Sequence, residues 1–263
     1  MQSNIGFALL ITSLAGLSTI AGSLIGLLTR YPSPRFLTIT LGFSAGAMLL
    51  VSFTELLQSG IESLGLTTAY VSFFAGILLM FLIDALVPHV YMGERCDLHG
   101  APGKQPDKQT NTDRERLTRA GILLAVGLII HNFPEGMASF AGAVHDRELG
   151  IAIAFAIALH NIPEGLAVST LMYSATGNRW KAFLWAFLAS IAEPLGACLA
   201  ALTVIPGLND TVLGTMLSAV AGIMVFISLD ELIPVSRSFG EDHLSIIGII
   251  MGMAVMVIGK ILL

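Results

Sequence analysis

Eight apolar runs dominate this chain, each long enough to cross a bilayer, which takes ~20 helical residues. They extend roughly over Ile5–Leu28, Phe36–Leu57, Ala69–Val87, Thr118–Gly142, Leu149–Met172, Trp180–Val204, Thr211–Val235 and Ser245–Leu263. The alternating ~10-residue segments that mark a membrane barrel are absent. Charged residues make up 12% of the chain and mean hydropathy is +0.83, whereas a soluble domain carries about 25% charge. Such a chain cannot cover a globule with polar surface, so most of its solvent is lipid. The expected fold is an all-α integral membrane protein of eight transmembrane helices, one domain over residues 1–263. Three helices lie within 5–87, a loop covers 91–117, and five helices follow within 118–263. The first run lacks a basic leader and an A-x-A cleavage site and reads as a retained helix.

Orientation follows from Lys and Arg. With the N-terminus outside, the cytoplasmic segments hold Arg30, Arg35, Arg95, Lys104, Lys108, Arg114, Arg116, Arg119, Arg179, Lys181 and Arg237. The outer side keeps only Arg147 and Lys260. This positive-inside bias places both termini outside and agrees with an even number of crossings. The 91–117 loop is polar, contains Pro102 and Pro106, and reads as a flexible cytoplasmic linker. Cys96 and Cys198 form no evident disulfide framework.

Acids are distributed differently from bases. Glu55, Asp84, Glu135, Glu164, Glu193, Asp230 and Glu231 fall within or at the ends of the apolar runs, where no Lys or Arg stands near a centre. Carboxylates at that depth without basic partners imply that a cation comes from elsewhere.

The chain also repeats itself. "AGAMLLVSFTELL" from Ala45 matches "AGIMVFISLDELI" from Ala221, pairing Met48 with Met224 and Glu55 with Glu231. The first and sixth runs align more weakly, sharing Leu14/Leu188, Ala15/Ala189 and Gly22/Gly196. Three helices, a central pair and three inverted helices is an arrangement of secondary transporters, which hold substrate near mid-membrane.

The central pair carries the chemistry. "HNFPEG" from His131 and "HNIPEG" from His160 stand 29 residues apart. On a helix, i and i+4 share a face, so His131 meets Glu135 and His160 meets Glu164, with Asn132 and Asn161 alongside. Pro134 and Pro163 lack an N–H and are expected to break the helix, freeing the carbonyls of Ile130 and Leu159. Glu193-Pro194 adds a third carboxylate beside a third proline and frees the Ser190 carbonyl. Counted from the helix ends, His131, His160 and Glu193 lie at similar depth, roughly 16–20 Å at 1.5 Å per residue. Imidazoles, carboxylates and amide oxygens without thiolate suit Zn²⁺, with Fe²⁺, Mn²⁺, Co²⁺ and Cd²⁺ also compatible. A bridging carboxylate leaves occupancy by one or two ions open. For a single His–Glu pair, an ordinary helix–helix hydrogen bond is the simpler reading. Two hexapeptides alike at five of six positions, plus Glu193 at one depth, favour a metal.

"HNFPEG", "HNIPEG" and "SIAEPLGA" resemble the metal-binding motifs of helices 4, 5 and 6 in the ZIP family of zinc- and iron-type divalent metal transporters, in its bacterial, GufA-like branch. The resemblance covers the whole chain. It implies that His131, Asn132, Glu135, His160, Asn161, Glu164 and Glu193 are transport-site ligands, and that Met48 in "FSAGAM" also contacts the metal. It further implies a homodimer in the bacterial inner membrane. Helices 1, 4, 5 and 6 would carry metal past a scaffold of helices 2, 3, 7 and 8. The metal is substrate, and no prosthetic group is implied.

Other polar residues sort by depth. Glu55, near the outer end of the second helix, is a candidate entrance. Asp84, His89, Asp230 and Glu231, near inner ends, are candidate exit residues, with plain solvation the competing reading. Cys96, Asp97 and His99 in "CDLHG" have ligand-like spacing but read more simply as polar loop, as do His145 and Asp146.

The function expected is import of divalent transition metals. The competing class is an intramembrane zinc hydrolase, with a metal-gated channel or sensor as a third. No H-E-x-x-H and no Walker A motif is present. The glutamates read as ligands, which leaves no evident general base for hydrolysis.

Overall fold

A computed structural model describes residues 2–29, 33–86, 111–203, 207 and 209–262. Among these, eight helices are long and apolar enough to cross a membrane. They are α1 (Gln2–Leu28), α2 (Pro34–Leu64), α3 (Leu66–Leu86), α4 (Asn111–His145), α5 (Arg147–Thr176), α6 (Arg179–Thr203), α7 (Asp210–Ser238) and α8 (Asp242–Leu262). Leu14, Phe74, Leu78, Leu195 and Ile250 point outward from the bundle, which a bilayer accepts and water does not.

The helix ends are set by local chemistry. The Ser33 hydroxyl accepts the Phe36 N–H at the start of α2, and Asn209 does the same for Val212 at the start of α7. Asp146 alone separates α4 from α5. Its carboxylate accepts the Leu149 N–H at 2.8 Å as an N-cap, so the two motif helices form a tight antiparallel hairpin. His145, at the end of α4, lies 3.9 Å from the Asp210 carboxylate.

Four sequence expectations are corrected. First, the linker ends early, because 111–117 is already helical and Thr118 Oγ1 donates to the Arg114 carbonyl at 2.8 Å. Hydropathy finds the apolar part of a helix and misses polar turns projecting into water. Second, α2 runs on to Leu64 and is not a uniform α-helix. It contains a π-helical turn at Ser52–Leu56, and α7 contains its counterpart at Ser228–Leu232. Third, Glu55 sits inside that π turn rather than near the end of the helix. Fourth, Pro134, Pro163 and Pro194 do not break their helices, which continue through them. A proline removes one backbone bond, and in a packed intramembrane bundle no water competes for the remainder.

The internal repeat organises the packing. Residues 176 apart correspond between α2–α3 and α7–α8, and residues 174 apart correspond between α1 and α6. Gly46 of α2 lies against the Ile249 carbonyl of α8, while its equivalent Gly222 lies against the Phe73 carbonyl of α3. Ile249 and Phe73 are themselves equivalent. Gly76 against Ala219 and Gly252 against Phe43 form a second reciprocal set. In the centre, Gly22 meets the Ile162 carbonyl and Gly196 meets that of Phe133, while Gly165 meets Thr19 and Gly136 meets Glu193. At each of these positions a Cβ would collide with the carbonyl opposite, so only glycine permits the approach. A pseudo-two-fold axis therefore exchanges α1 with α6, α2 with α7, α3 with α8, and α4 with α5. The helices α1, α4, α5 and α6 pack as one bundle, and α2–α8 and α3–α7 pair around it.

Candidate metal site

The axis passes between the two hexapeptides. His160 Nε2 lies 3.1 Å from Glu135 Oε1, and His131 Nε2 lies 3.7 Å from Glu164 Oε2. Each histidine thus faces the carboxylate of the other motif rather than the one a turn along its own helix. The asparagines are equally reciprocal: Asn132 Nδ2 donates to the Ala189 carbonyl of α6 at 3.1 Å, and Asn161 Nδ2 to the Ala15 carbonyl of α1 at 3.3 Å. Ala15 and Ala189 are repeat equivalents. These bonds tie both motifs to the helices that flank them.

Glu193 breaks the symmetry. Its carboxylate accepts a short hydrogen bond from Asn161 Nδ2. The equivalent residue on α1 is Thr19. One side of the axis therefore supplies an extra carboxylate and the other a hydroxyl.

Ser44, which sequence reasoning missed, supports the site from α2. Its hydroxyl lies 2.8 Å from Glu164 Oε1 and 3.2 Å from the His160 carbonyl. The only sequence signal was its place in "FSAGAM", four residues before Met48. Met48 is fully buried in α2, and its carbonyl accepts from Ser52 Oγ at 2.7 Å.

His131, Asn132, Glu135, His160, Asn161, Glu164 and Glu193 are all at most 2% exposed. Beyond the four atoms of the crossed pairs, six of their side-chain nitrogens and oxygens have no partner. An unsatisfied buried polar atom costs about 1–3 kcal/mol, and native interiors hold few. So many around one axis form a donor set suited to an ion. No three of the His, Cys, Asp and Glu side chains among the described residues stand at mutual ligand spacing. The histidines and glutamates are held as crossed pairs instead.

Two polar positions flank this centre. A cavity lined by Val51, Glu55, Leu56, Glu135, Ala138, Ile153, Ile157 and Val220 has Glu55 and Glu135 as its only charged residues. On the opposite face, the Glu231 carboxylate packs against Gly127, one turn of α4 before His131. Asp230 shares the α7 π turn with Glu231, and Asp84 lies near the end of α3. His89, Cys96, Asp97 and His99 lie outside the described residues.

The profile of the family described as ZIP Zinc transporter matches residues 97–260, which contain both hexapeptides and Glu193. This chain belongs to the ZIP family. Similar ZIP proteins include the zinc transporter ZupT of Chlorobium phaeovibrioides, 48% identical over 97% of each chain. That of Nitratidesulfovibrio vulgaris is 46% identical over 99% of this chain and 98% of its own. That of Clostridium perfringens is 43% identical over 99% and 97%. The ZIP assignment therefore extends over the whole length, including the α1–α3 segment that precedes the matched profile.

Proposed function

We propose that this chain imports divalent transition-metal ions, Zn²⁺ foremost, across a bacterial inner membrane. Its mid-membrane site would be the crossed His131–Glu164 and His160–Glu135 pairs with Glu193. Asn132 and Asn161 contribute amide oxygens. Met48 lies one turn from Ser44 on the same face of α2, and Ser44 touches Glu164, which supports a thioether contact to the ion. The observation that carries the reading is the pair of crossed His–Glu contacts on one pseudo-two-fold axis together with six further unpartnered buried nitrogens and oxygens of the same residues. The names of the relatives favour Zn²⁺ over other ions with similar preferences.

Glu55 receives the ion from outside and passes it along the cavity to Glu135; Glu231, Asp230 and Asp84 receive it on the cytoplasmic side. The α1–α4–α5–α6 bundle holds every ligand except Met48, which supports its sliding as a unit past α2, α3, α7 and α8. The working unit in this reading is a homodimer. Metal is cargo, carried unmodified.

The test is uptake by purified protein in liposomes with a panel of metals. Saturable Zn²⁺ accumulation without lipid or peptide cleavage is expected. Failure to accumulate any divalent metal would refute the reading.

A further inference from the structure

The repeat that makes the two faces of this molecule equivalent is broken at their mouths. Thr54, Glu55 and Lys260 on the outer side correspond, 176 residues apart, to Asp230, Glu231 and Asp84 on the inner side. The glutamates are retained. A lysine stands where the inner face has an aspartate.

Lys260 is not idle at that position, and it corrects the sequence expectation that Glu55 lacks a basic partner, because a lysine on a neighbouring helix reaches it. Its Nζ lies 2.8 Å from Glu55 Oε1 and donates to the Thr54 carbonyl at 3.0 Å. The Glu55 side chain is 18% exposed and that of Lys260 55%, so the lysine reaches from α8 over the mouth while the glutamate points inward. Glu55 is also the outer charged residue of the cavity whose other charged residue is Glu135. The ammonium therefore sits on the first carboxylate of the passage toward the metal site.

We propose that Lys260 is a tethered counter-ion of the outer mouth, which an entering divalent cation must displace from Glu55. This rests on the transport reading above and adds a selectivity device to it. A tethered ammonium competes at high effective concentration, and bulk monovalent ions cannot match it. A divalent ion gains twice the Coulomb attraction to the same carboxylate and can. The pair thus screens Glu55 from monovalent cations, and it sets the metal concentration at which capture begins. At the inner mouth the aspartate at the equivalent position adds negative charge instead, so the two faces differ in their hold on an ion.

The test measures Zn²⁺ uptake against Zn²⁺ concentration in liposomes, at low and high KCl, for the full chain and for Lys260→Gln, Lys260→Arg, Glu55→Gln and the Lys260→Gln/Glu55→Gln double variant. Lys260→Gln should lower the half-saturating Zn²⁺ concentration by about two- to five-fold, the scale of a half-exposed ion pair. Its maximal rate should be retained, and KCl should inhibit it more strongly than the wild type. Lys260→Arg should behave as wild type. In the Glu55→Gln background, Lys260→Gln should have no further effect. Wild-type uptake with an unchanged half-saturation and unchanged KCl inhibition in Lys260→Gln would overturn the proposal alone. So would an equal shift in the presence and absence of Glu55. Absence of uptake by every protein, wild type included, would overturn the transport reading and this proposal with it.

Discussion

Ser44 shows how much of the site rests on one hydroxyl outside the motifs. Its hydroxyl donates to the Glu164 carboxylate at 2.8 Å and lies 3.2 Å from the His160 carbonyl, holding the Glu164 carboxylate of the α5 motif from α2. Ser44→Ala should raise the half-saturating metal concentration several-fold and lower stability by about 1 kcal/mol, the net value of a buried hydrogen bond. Uptake kinetics and thermal unfolding in detergent check both, and unchanged values would remove Ser44 from the site. Protons follow the same residues. Ligation needs neutral imidazole and ionised carboxylate, so metal binding should release protons, and affinity should fall as pH drops. Calorimetric titration in buffers of different ionisation enthalpy measures the release. Equal affinity at mildly acidic and neutral pH would count against histidine ligands. The candidate ligands were legible in the sequence because polar residues inside apolar runs are costly and therefore conspicuous. Ser44 was not, since a serine in an apolar run commonly bonds its own helix, as Ser52 and Ser228 do here.

At the scale of the element, the prolines and the π turns reverse the expected division of regular and irregular backbone. Continuity through Pro134 and Pro163 keeps each His–Asn–Glu set on one helical surface. The distortion occurs instead at "SFTEL" and "SLDEL", where a π turn re-aims Glu55 and Glu231. No propensity flagged it, because a π turn inserts one residue without a special residue type; only the repeat itself, with glutamate at both places, marked the segments. The eight spans were readable because bilayer thickness imposes a length, and their ends were not, because polar turns leave no hydropathy signal. The close glycine contacts give an element-scale prediction. Gly22→Ala and Gly196→Ala each push a Cβ into a motif-helix carbonyl, that of Ile162 or Phe133. Each should destabilise by about 1–3 kcal/mol, by similar amounts, and both should impair uptake. Thermal unfolding that leaves either variant at wild-type stability would contradict the packing described.

For the whole molecule, the pseudo-two-fold relation couples topology to direction of travel. Glu55 and Glu231 are equivalent residues on opposite faces, so cysteine at position 55 should react with an impermeant thiol reagent from outside only. Cysteine at position 231 should react from inside only. Both need a background lacking Cys96 and the exposed Cys198. Labelling of both from one side would refute the inversion. In the proposed transport cycle the crossed His–Glu pairs on the axis hold the ion. The most direct test of this is Zn²⁺ accumulation in liposomes by the Glu135→Ala/Glu164→Ala double variant, with folding verified by its elution profile in detergent. Both carboxylates of the crossed pairs are then gone, and accumulation should fall to that of protein-free liposomes. Accumulation at the wild-type rate by the folded double variant would contradict the account.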